Sequence, residues 1–122
     1  MSSFVQPETP EELADLLKGA GQAKRTVQIA GRSTKRLLAG PIAPSSVQVS
    51  SVALKRVIQY EPRDLTIGVE AGMPFAELCR TLAANGQMIP LEGPWSEDGT
   101  VGGLIASNIS GSRRRLYGAA RD

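Results

Sequence analysis

Alternation of apolar and polar side chains predicts two short strands in the first half of the chain. Residues 26–30 (TVQIA) place Val27 and Ile29 two positions apart, which puts both side chains on one face of a strand. Residues 46–50 (SVQVS) alternate in the same way. The segment between them, residues 37–45, contains glycine and two prolines and is predicted to be a loop.

The same alternation predicts an antiparallel hairpin in the middle of the chain. Residues 57–61 and 65–70 form its two strands, and residues 62–64 (PRD) form the connection. Apolar residues alternate in the second strand at Leu65, Ile67 and Val69.

Apolar residues at helical spacing predict two longer helices. The first begins at Pro10, with Thr9 as its N-cap and Glu12 placed to complete a capping box, and it ends near residues 19–21. The second runs from Pro74 to about residue 85. Its inner face is predicted to carry Phe75, Leu78, Cys79 and Leu82.

A third, shorter helix is predicted inside the glycine-rich stretch of residues 93–122, which holds six of the chain's 13 glycines. Thr100 is its N-cap, Asn108 ends it, and Val101, Leu104 and Ile105 face inward. Clustered glycine costs stability unless the backbone must approach something closely. Gly102 and Gly103 are expected to leave the N–H groups of the first helical turn open to an anion. The stretch is therefore interpreted as a cofactor-binding loop and helix start.

A second anion-binding candidate follows the strand at residues 26–30. Residues 31–36 (GRSTKR) combine a glycine, two hydroxyl side chains and three cations in one turn. Consecutive backbone N–H groups in such a turn can form a concave anion nest. The spacing is not that of a Walker loop, and an ordinary solvated basic turn is the alternative interpretation.

The amino-acid composition excludes several classes of metal site and catalytic site. With no histidine and one cysteine, the common zinc sites and the Ser/His and Cys/His catalytic pairs are excluded, as is an intramolecular disulfide. Cys79 is interpreted as core filler, since no base is present to activate it. A net charge of +2 and an aromatic content of 4% do not favour a nucleic-acid partner. Neither a signal peptide nor a membrane span is predicted, which makes the cytoplasm the default location.

Four features near the end of the chain are interpreted from the residues alone. Trp95 could cover a cofactor or seal the core, and the core role is favoured. The basic triplet at residues 113–115 is expected to be solvated or paired with acidic neighbours and is given no role. Ser110 and Gly111 are expected to begin an irregular loop, and the stop at Asp122 suggests a fragment.

Taken together, the element order and two motifs resemble the FAD-linked oxidases of the vanillyl-alcohol oxidase and p-cresol methylhydroxylase (PCMH) superfamily, most of all its glycolate oxidase and lactate dehydrogenase branch. The motifs are GRSTK at residues 31–35 and TVGGxIAxNxxG followed by YGxxRD at residues 100–122. The resemblance implies an α+β fold: the N-terminal part of a PCMH-type FAD-binding domain, with short mixed-sheet strands flanked by helices. Residues 1–122 would be an incomplete domain of this type.

The resemblance also implies a set of cofactor-binding residues. A first group would wrap the pyrophosphate of FAD through backbone N–H groups and hydroxyl side chains: Gly31, Arg32, Ser33, Thr34 and Lys35. A second group would lie under the flavin and phosphates: Pro94, Thr100, Val101, Gly102 and Gly103. The rest of the motif matches at Ala106, Asn108, Gly111, Tyr117 and Gly118.

Two function hypotheses follow from the resemblance. In the first, the chain is the FAD-binding portion of an oxidoreductase acting on a small 2-hydroxy acid, with FAD bound non-covalently because the chain lacks the tethering histidine of several relatives. The chain alone would then be inactive, since substrate-contacting residues lie elsewhere. In the second, it is a non-catalytic module that binds another nucleotide or a partner subunit, either a flavoprotein or an iron–sulfur protein.

Overall fold

The computed structural model describes residues 3–94 and 96–121. Within these residues lie five strands and four α-helices, with 3₁₀ turns at Arg36–Ala39 and Pro62–Asp64. In chain order the main elements are β1 (Ser3–Val5), α1 (Pro10–Gln22), β2 (Val27–Ala30), β3 (Val47–Ser50), β4 (Val57–Glu61), β5 (Thr66–Val69), α2 (Phe75–Ala83), α3 (Val101–Ser107) and α4 (Arg114–Tyr117). The fold class is α+β, with short strands flanked by helices, as the sequence predicts.

A three-stranded parallel sheet forms the first part of the chain, in the order β1-β3-β2. The central strand buries Val47 and Val49. Helix α1 packs on the face that carries Val47, and its Ala20 is buried there. Strand β1 escaped the sequence analysis because three residues are too short to display a period of two.

The start of α1 confirms the predicted N-cap. The Thr9 hydroxyl accepts a hydrogen bond from the Glu12 N–H at 3.1 Å. The Glu12 carboxylate accepts one from the N–H of Glu8 at 2.8 Å. The return bond of the predicted capping box therefore goes to the residue before the N-cap rather than to the N-cap itself.

The second part of the chain builds its core around the β4-β5 hairpin and the helices α2 and α3. The hairpin is antiparallel, as predicted. Five buried side chains form the centre: Met73, Phe75, Leu78, Leu82 and Leu104. Cys79 packs against this centre, and burial raises the pKa of its thiol, which agrees with the role of core filler.

Three expectations about this part are wrong. Leu65 lies outside β5 in the left-handed region (φ 55°) and is 79% exposed, because it ends the 3₁₀ turn at Pro62–Asp64. Ile105 points outward and is half exposed, whereas Leu104 is buried and Val101 packs against the core. The segment after Gly111 is not wholly irregular, since it contains the helical turn α4.

Candidate functional site

The turn that follows β2 presents a run of unused backbone donors. The β2-β3 ladder ends where Ser51 N–H donates to Ala30 O at 2.9 Å. From Gly31 to Lys35, none of the five backbone N–H groups donates a hydrogen bond to another described residue. Ser33 adopts the left-handed conformation (φ 58°) in the middle of this run. Successive N–H groups around a left-handed residue can form a concave nest that binds anions, and this run has the free donors that such a nest requires.

Gly31 is in direct contact with the second glycine motif. A Cβ atom at Gly31 would lie 2.9 Å from Thr100 Cγ2 and closer still to Thr100 Oγ1. Thr100 is fully buried, and its Oγ1 accepts the N–H of Gly103 at 3.1 Å. The two motifs that the sequence analysis singled out therefore meet at one point of the molecule.

A cavity of about 550 Å³ opens at this meeting point. Eight of the predicted site residues line it: Gly31, Arg32, Ser33, Thr34, Lys35, Thr100, Gly103 and Ala106. Seven others do not: Pro94, Val101, Gly102, Asn108, Gly111, Tyr117 and Gly118. The predicted site residues thus fall into two groups, one that lines a single cavity and one that lies outside it.

The expectation that α3 offers open N–H groups to an anion is wrong. The Val101 N–H donates to Met73 O at 2.9 Å, and the Gly102 N–H donates to Ala71 O at 2.8 Å. The Gly103 N–H is taken by the Thr100 side chain. A Cβ at Gly102 would lie 2.9 Å from Ala71 O, so its glycine serves a close approach of protein backbone rather than of a ligand.

Two of the predicted residues that lie outside the cavity, Asn108 and Gly111, have a backbone conformation with positive φ. Asn108 ends α3 in the left-handed conformation. Gly111 has a positive φ and packs so closely on Glu92 that a Cβ would lie 2.6 Å from the Glu92 carbonyl oxygen. Glu92 also pairs with Arg113 at 3.1 Å and accepts the Ser112 hydroxyl at 2.8 Å. One member of the basic triplet is therefore paired with an acidic neighbour and fastens the chain before α4.

The exposed face of the parallel sheet supplies cavity residues that the sequence analysis missed. Phe4, Gln48 and Gln28 are neighbours across the three strands and line the cavity together. Alternation against Val47 and Val49 already placed Gln48 on this face. The pairing of Gln48 with Phe4 could not be found without recognising β1.

The charged side chains of the described residues that line the cavity are all basic. Arg32, Lys35 and Arg36 line it, and no acidic side chain of the described residues does. The Arg32 guanidinium is exposed and donates to Asp98 O at 3.4 Å. The Lys35 Nζ is buried and has no hydrogen-bond partner among the described residues. Such a site favours a ligand that carries negative charge and acceptor oxygens.

Comparison with known proteins identifies that ligand class. A family model described as "FAD binding domain" matches residues 1–122. The chain belongs to this family, and its cofactor is FAD. The free N–H groups of the nest, the unpartnered Lys35 ammonium and the absence of acids among the described lining residues fit the cofactor's diphosphate.

Two individual relatives are oxidoreductases by name. The chain is 32% identical over 111 residues to the glycolate oxidase subunit GlcE of Escherichia coli (strain K12), covering 88% of this chain and 31% of the relative. It is 26% identical over 120 residues to a D-lactate dehydrogenase of Anaerostipes hadrus, covering 98% of this chain and 25% of the relative. The chain therefore spans between a quarter and a third of the length of these two relatives.

Solved structures share the fold. A structure of alkyldihydroxyacetonephosphate synthase matches with a TM-score of 0.83 at 23% identity, covering 98% of this chain and 24% of the other. A berberine bridge enzyme variant matches with a TM-score of 0.77 at 20% identity, again over 98% of this chain and 25% of the other.

Two predictions about the end of the chain fall on Trp95 and Asp122, which lie outside the described residues. In the part of the chain that the structure describes, no helix combines the length and apolar character that crossing a membrane requires. The described residues also contain no group of three cysteine or acidic side chains arranged to hold a metal ion.

Proposed function

We propose that the turn at residues 31–35 binds the diphosphate of FAD through its backbone, and that Thr100, Gly103 and Ala106 form the adjoining wall. The observation that carries this proposal is the run of five free N–H groups beside three cations, in a cavity whose described lining has no acid. A diphosphate offers several acceptor oxygens and negative charge, which matches both features. Thr100 and Gly103 of the second motif then form part of the cavity wall, and the first turn of α3 offers no free backbone N–H group.

Titration of the purified chain with FAD, followed by flavin fluorescence, tests this site. We expect FAD to bind, ADP to displace it and riboflavin to bind far more weakly, because only the first two carry a diphosphate. Equal binding of FAD and riboflavin would show that the nest does not hold the phosphates. Failure of both FAD and ADP to bind would refute the site altogether.

We further propose that the whole protein oxidises a small 2-hydroxy acid. The support comes from the names of three relatives: the glycolate oxidase subunit, the D-lactate dehydrogenase and a D-2-hydroxyglutarate dehydrogenase of Xanthomonas citri, the last 29% identical over 122 residues. FAD, when bound, supplies the acceptor for the hydride that leaves the substrate carbon. This chain's residues would bind and orient the cofactor, and the chain alone would be inactive.

Anaerobic mixing of the complete flavoprotein with glycolate, D-lactate or D-2-hydroxyglutarate checks the substrate class. One of the three should bleach the absorbance of oxidised flavin. Bleaching by none of them, in a preparation that a strong chemical reductant does bleach, would contradict the proposed class.

The proposal also covers how FAD is attached, whether the protein assembles with other subunits and where in the cell it is found. Non-covalent binding is supported because the chain has no histidine and Cys79 packs in the core, outside the cavity lining. Acid precipitation of the flavoprotein should therefore release all flavin into solution. The word "subunit" in the name of the Escherichia coli relative supports a multi-subunit assembly, with the flavoprotein or iron–sulfur partner that the family resemblance implies. The cytoplasm stays the proposed location, as the default that the sequence analysis gave.

A further inference from the structure

Ser50 is a buried polar residue at the end of the central strand β3, and it lines the cavity together with the turn at residues 31–35. Its hydroxyl donates to Gly31 O at 3.3 Å and accepts the Val52 N–H at 3.5 Å. A hydroxyl has one proton to donate, and this proton is directed to Gly31 O rather than to a ligand. We therefore expect any effect of Ser50 on a bound anion to pass through Gly31.

Two successive carbonyl groups of the chain are held by the end of β3. Ala30 O accepts the Ser51 N–H at 2.9 Å, and Gly31 O accepts the Ser50 hydroxyl. In a regular strand successive carbonyl groups point to opposite sides. A strand β2 that continued regularly through Gly31 would therefore direct only one of them toward β3. The Ser50 hydroxyl holds the chain at the point where it leaves the ladder and begins the turn.

The direction of a carbonyl group fixes the direction of the N–H group that follows it. A trans peptide is planar, and its C=O and N–H bonds point in opposite directions. The described residues contain no cis peptide bond. The N–H groups of Gly31 and Arg32 are therefore both directed away from the donors at the end of β3. An anion nest requires such successive N–H groups on one side of the chain, and the left-handed Ser33 follows them directly.

We propose that Ser50 is a positioning residue of the cofactor site, because its hydroxyl holds the Gly31–Arg32 peptide in the orientation that adds the Arg32 N–H to the anion-binding run. This inference rests on the proposed FAD site and deepens it. It assigns the orientation of one backbone donor to a side chain of β3 that does not itself donate to the cofactor.

The Thr34 N–H is an internal reference for this role. Its peptide is held by Ser33 O, which accepts the Arg36 N–H at 3.2 Å within the turn and without any contribution from Ser50. A change at Ser50 should therefore disturb the N–H of Arg32 more than that of Thr34.

The test compares the native chain with S50A, which removes the hydroxyl. Nuclear magnetic resonance follows the Gly31 carbonyl carbon without ligand, and the amide signals of Arg32 and Thr34 during titration with inorganic pyrophosphate. In S50A the Gly31 carbonyl signal should move upfield, because the carbonyl loses a hydrogen bond. The pyrophosphate-induced shift of the Arg32 amide should largely disappear, whereas Thr34 should keep its shift.

Affinity for FAD gives a second measurement. S50A should weaken FAD binding by about 2- to 10-fold, the range that one neutral hydrogen bond contributes. S46A is the matched control, because Ser46 precedes the same strand at its other end, where its hydroxyl lies 3.3 Å from that of Thr26. It should change neither the FAD affinity nor the Arg32 signal. If S50A does not fold, S50C replaces it, since a thiol fills the space of the hydroxyl and is only a weak donor.

An unchanged Gly31 carbonyl signal in S50A, or a native response of its Arg32 amide to pyrophosphate, would overturn the role of Ser50 and leave the FAD site intact. Weaker FAD binding by S50A with a native Gly31 carbonyl signal would indicate direct contact between Ser50 and the cofactor, which also contradicts the inference. A native chain that responds to neither pyrophosphate nor FAD would instead refute the proposed site, and the inference with it.

Discussion

Replacing Gly31 with alanine should separate the two motifs that meet at the cavity. The new methyl group would overlap the Thr100 side chain, which is fully buried and holds the Gly103 N–H through its Oγ1. Thr100 cannot rotate away without losing this N-cap. Gly31 has no positive φ, so the substitution perturbs packing and adds no backbone strain.

The magnitude follows from two contributions. Overpacking of a well-packed site costs about 1–3 kcal/mol, and loss of a threonine N-cap costs about 1 kcal/mol. G31A should therefore lower the free energy of unfolding by about 2–4 kcal/mol, which corresponds to a fall in Tm of roughly 8–16 °C for a chain of this size. Chemical denaturation and thermal unfolding both measure this loss.

A double-mutant cycle with T100A tests the cause. Removing the Thr100 hydroxyl and methyl group frees most of the space, so G31A should cost at least about 1 kcal/mol less in the T100A background. Additivity of the two substitutions within about 0.5 kcal/mol would refute the proposed contact. G19A is the matched control, because a Cβ at Gly19 meets nothing within 4 Å in helix α1, and it should stabilise the chain by about 0.5–1 kcal/mol.

Two further predictions concern the nest and the pH dependence of stability. Because Ser33 is left-handed, S33G should keep FAD affinity within a few-fold while S33V should lose stability by about 1–2 kcal/mol and bind FAD more weakly; equal FAD affinity and stability for both variants would argue against a backbone-mediated site. Hydrogen bonds from Arg56 hold the pKa of Glu70 below its usual range, so the stability that this pair contributes is present above the unfolded-state pKa of glutamate and is lost as pH falls through the lower folded-state pKa. Denaturation across the acid range should show this loss in the native chain and a shallower one in E70Q, and identical slopes would rule out the linkage.

Local sequence signals predicted most of the fold because most elements carry a complete period. The residues of β4 match the predicted range, and the N-cap Thr100 was visible from its position before an apolar, glycine-containing run. Leu65 was wrongly assigned to β5, because nothing in the sequence indicates that a leucine after a 3₁₀ turn adopts the left-handed conformation. The nest was recognisable because its donors belong to consecutive residues.

The wrong prediction at α3 has a different cause. The acceptors for Val101 and Gly102 are the carbonyl groups of Met73 and Ala71, which lie 28 and 31 positions earlier in the chain, respectively. Only the tertiary structure reveals that these donors are already engaged. For the same reason the sequence could not show that Phe4 and Gln48 share a wall of the cavity.

The N–H groups at the start of α3 are already hydrogen-bonded within the protein. A TVGG motif in another sequence therefore does not by itself indicate a helix start that binds a ligand. Position 102 demands glycine because the backbone at Ala71 leaves no room for a methyl group, whether or not a flavin is present. A related chain that had lost its cofactor would still be under selection to keep this glycine. Glycine at position 102 therefore reports the packing of α3 on the backbone at Ala71, whereas the N–H groups of residues 31–35 have no acceptor within the described residues.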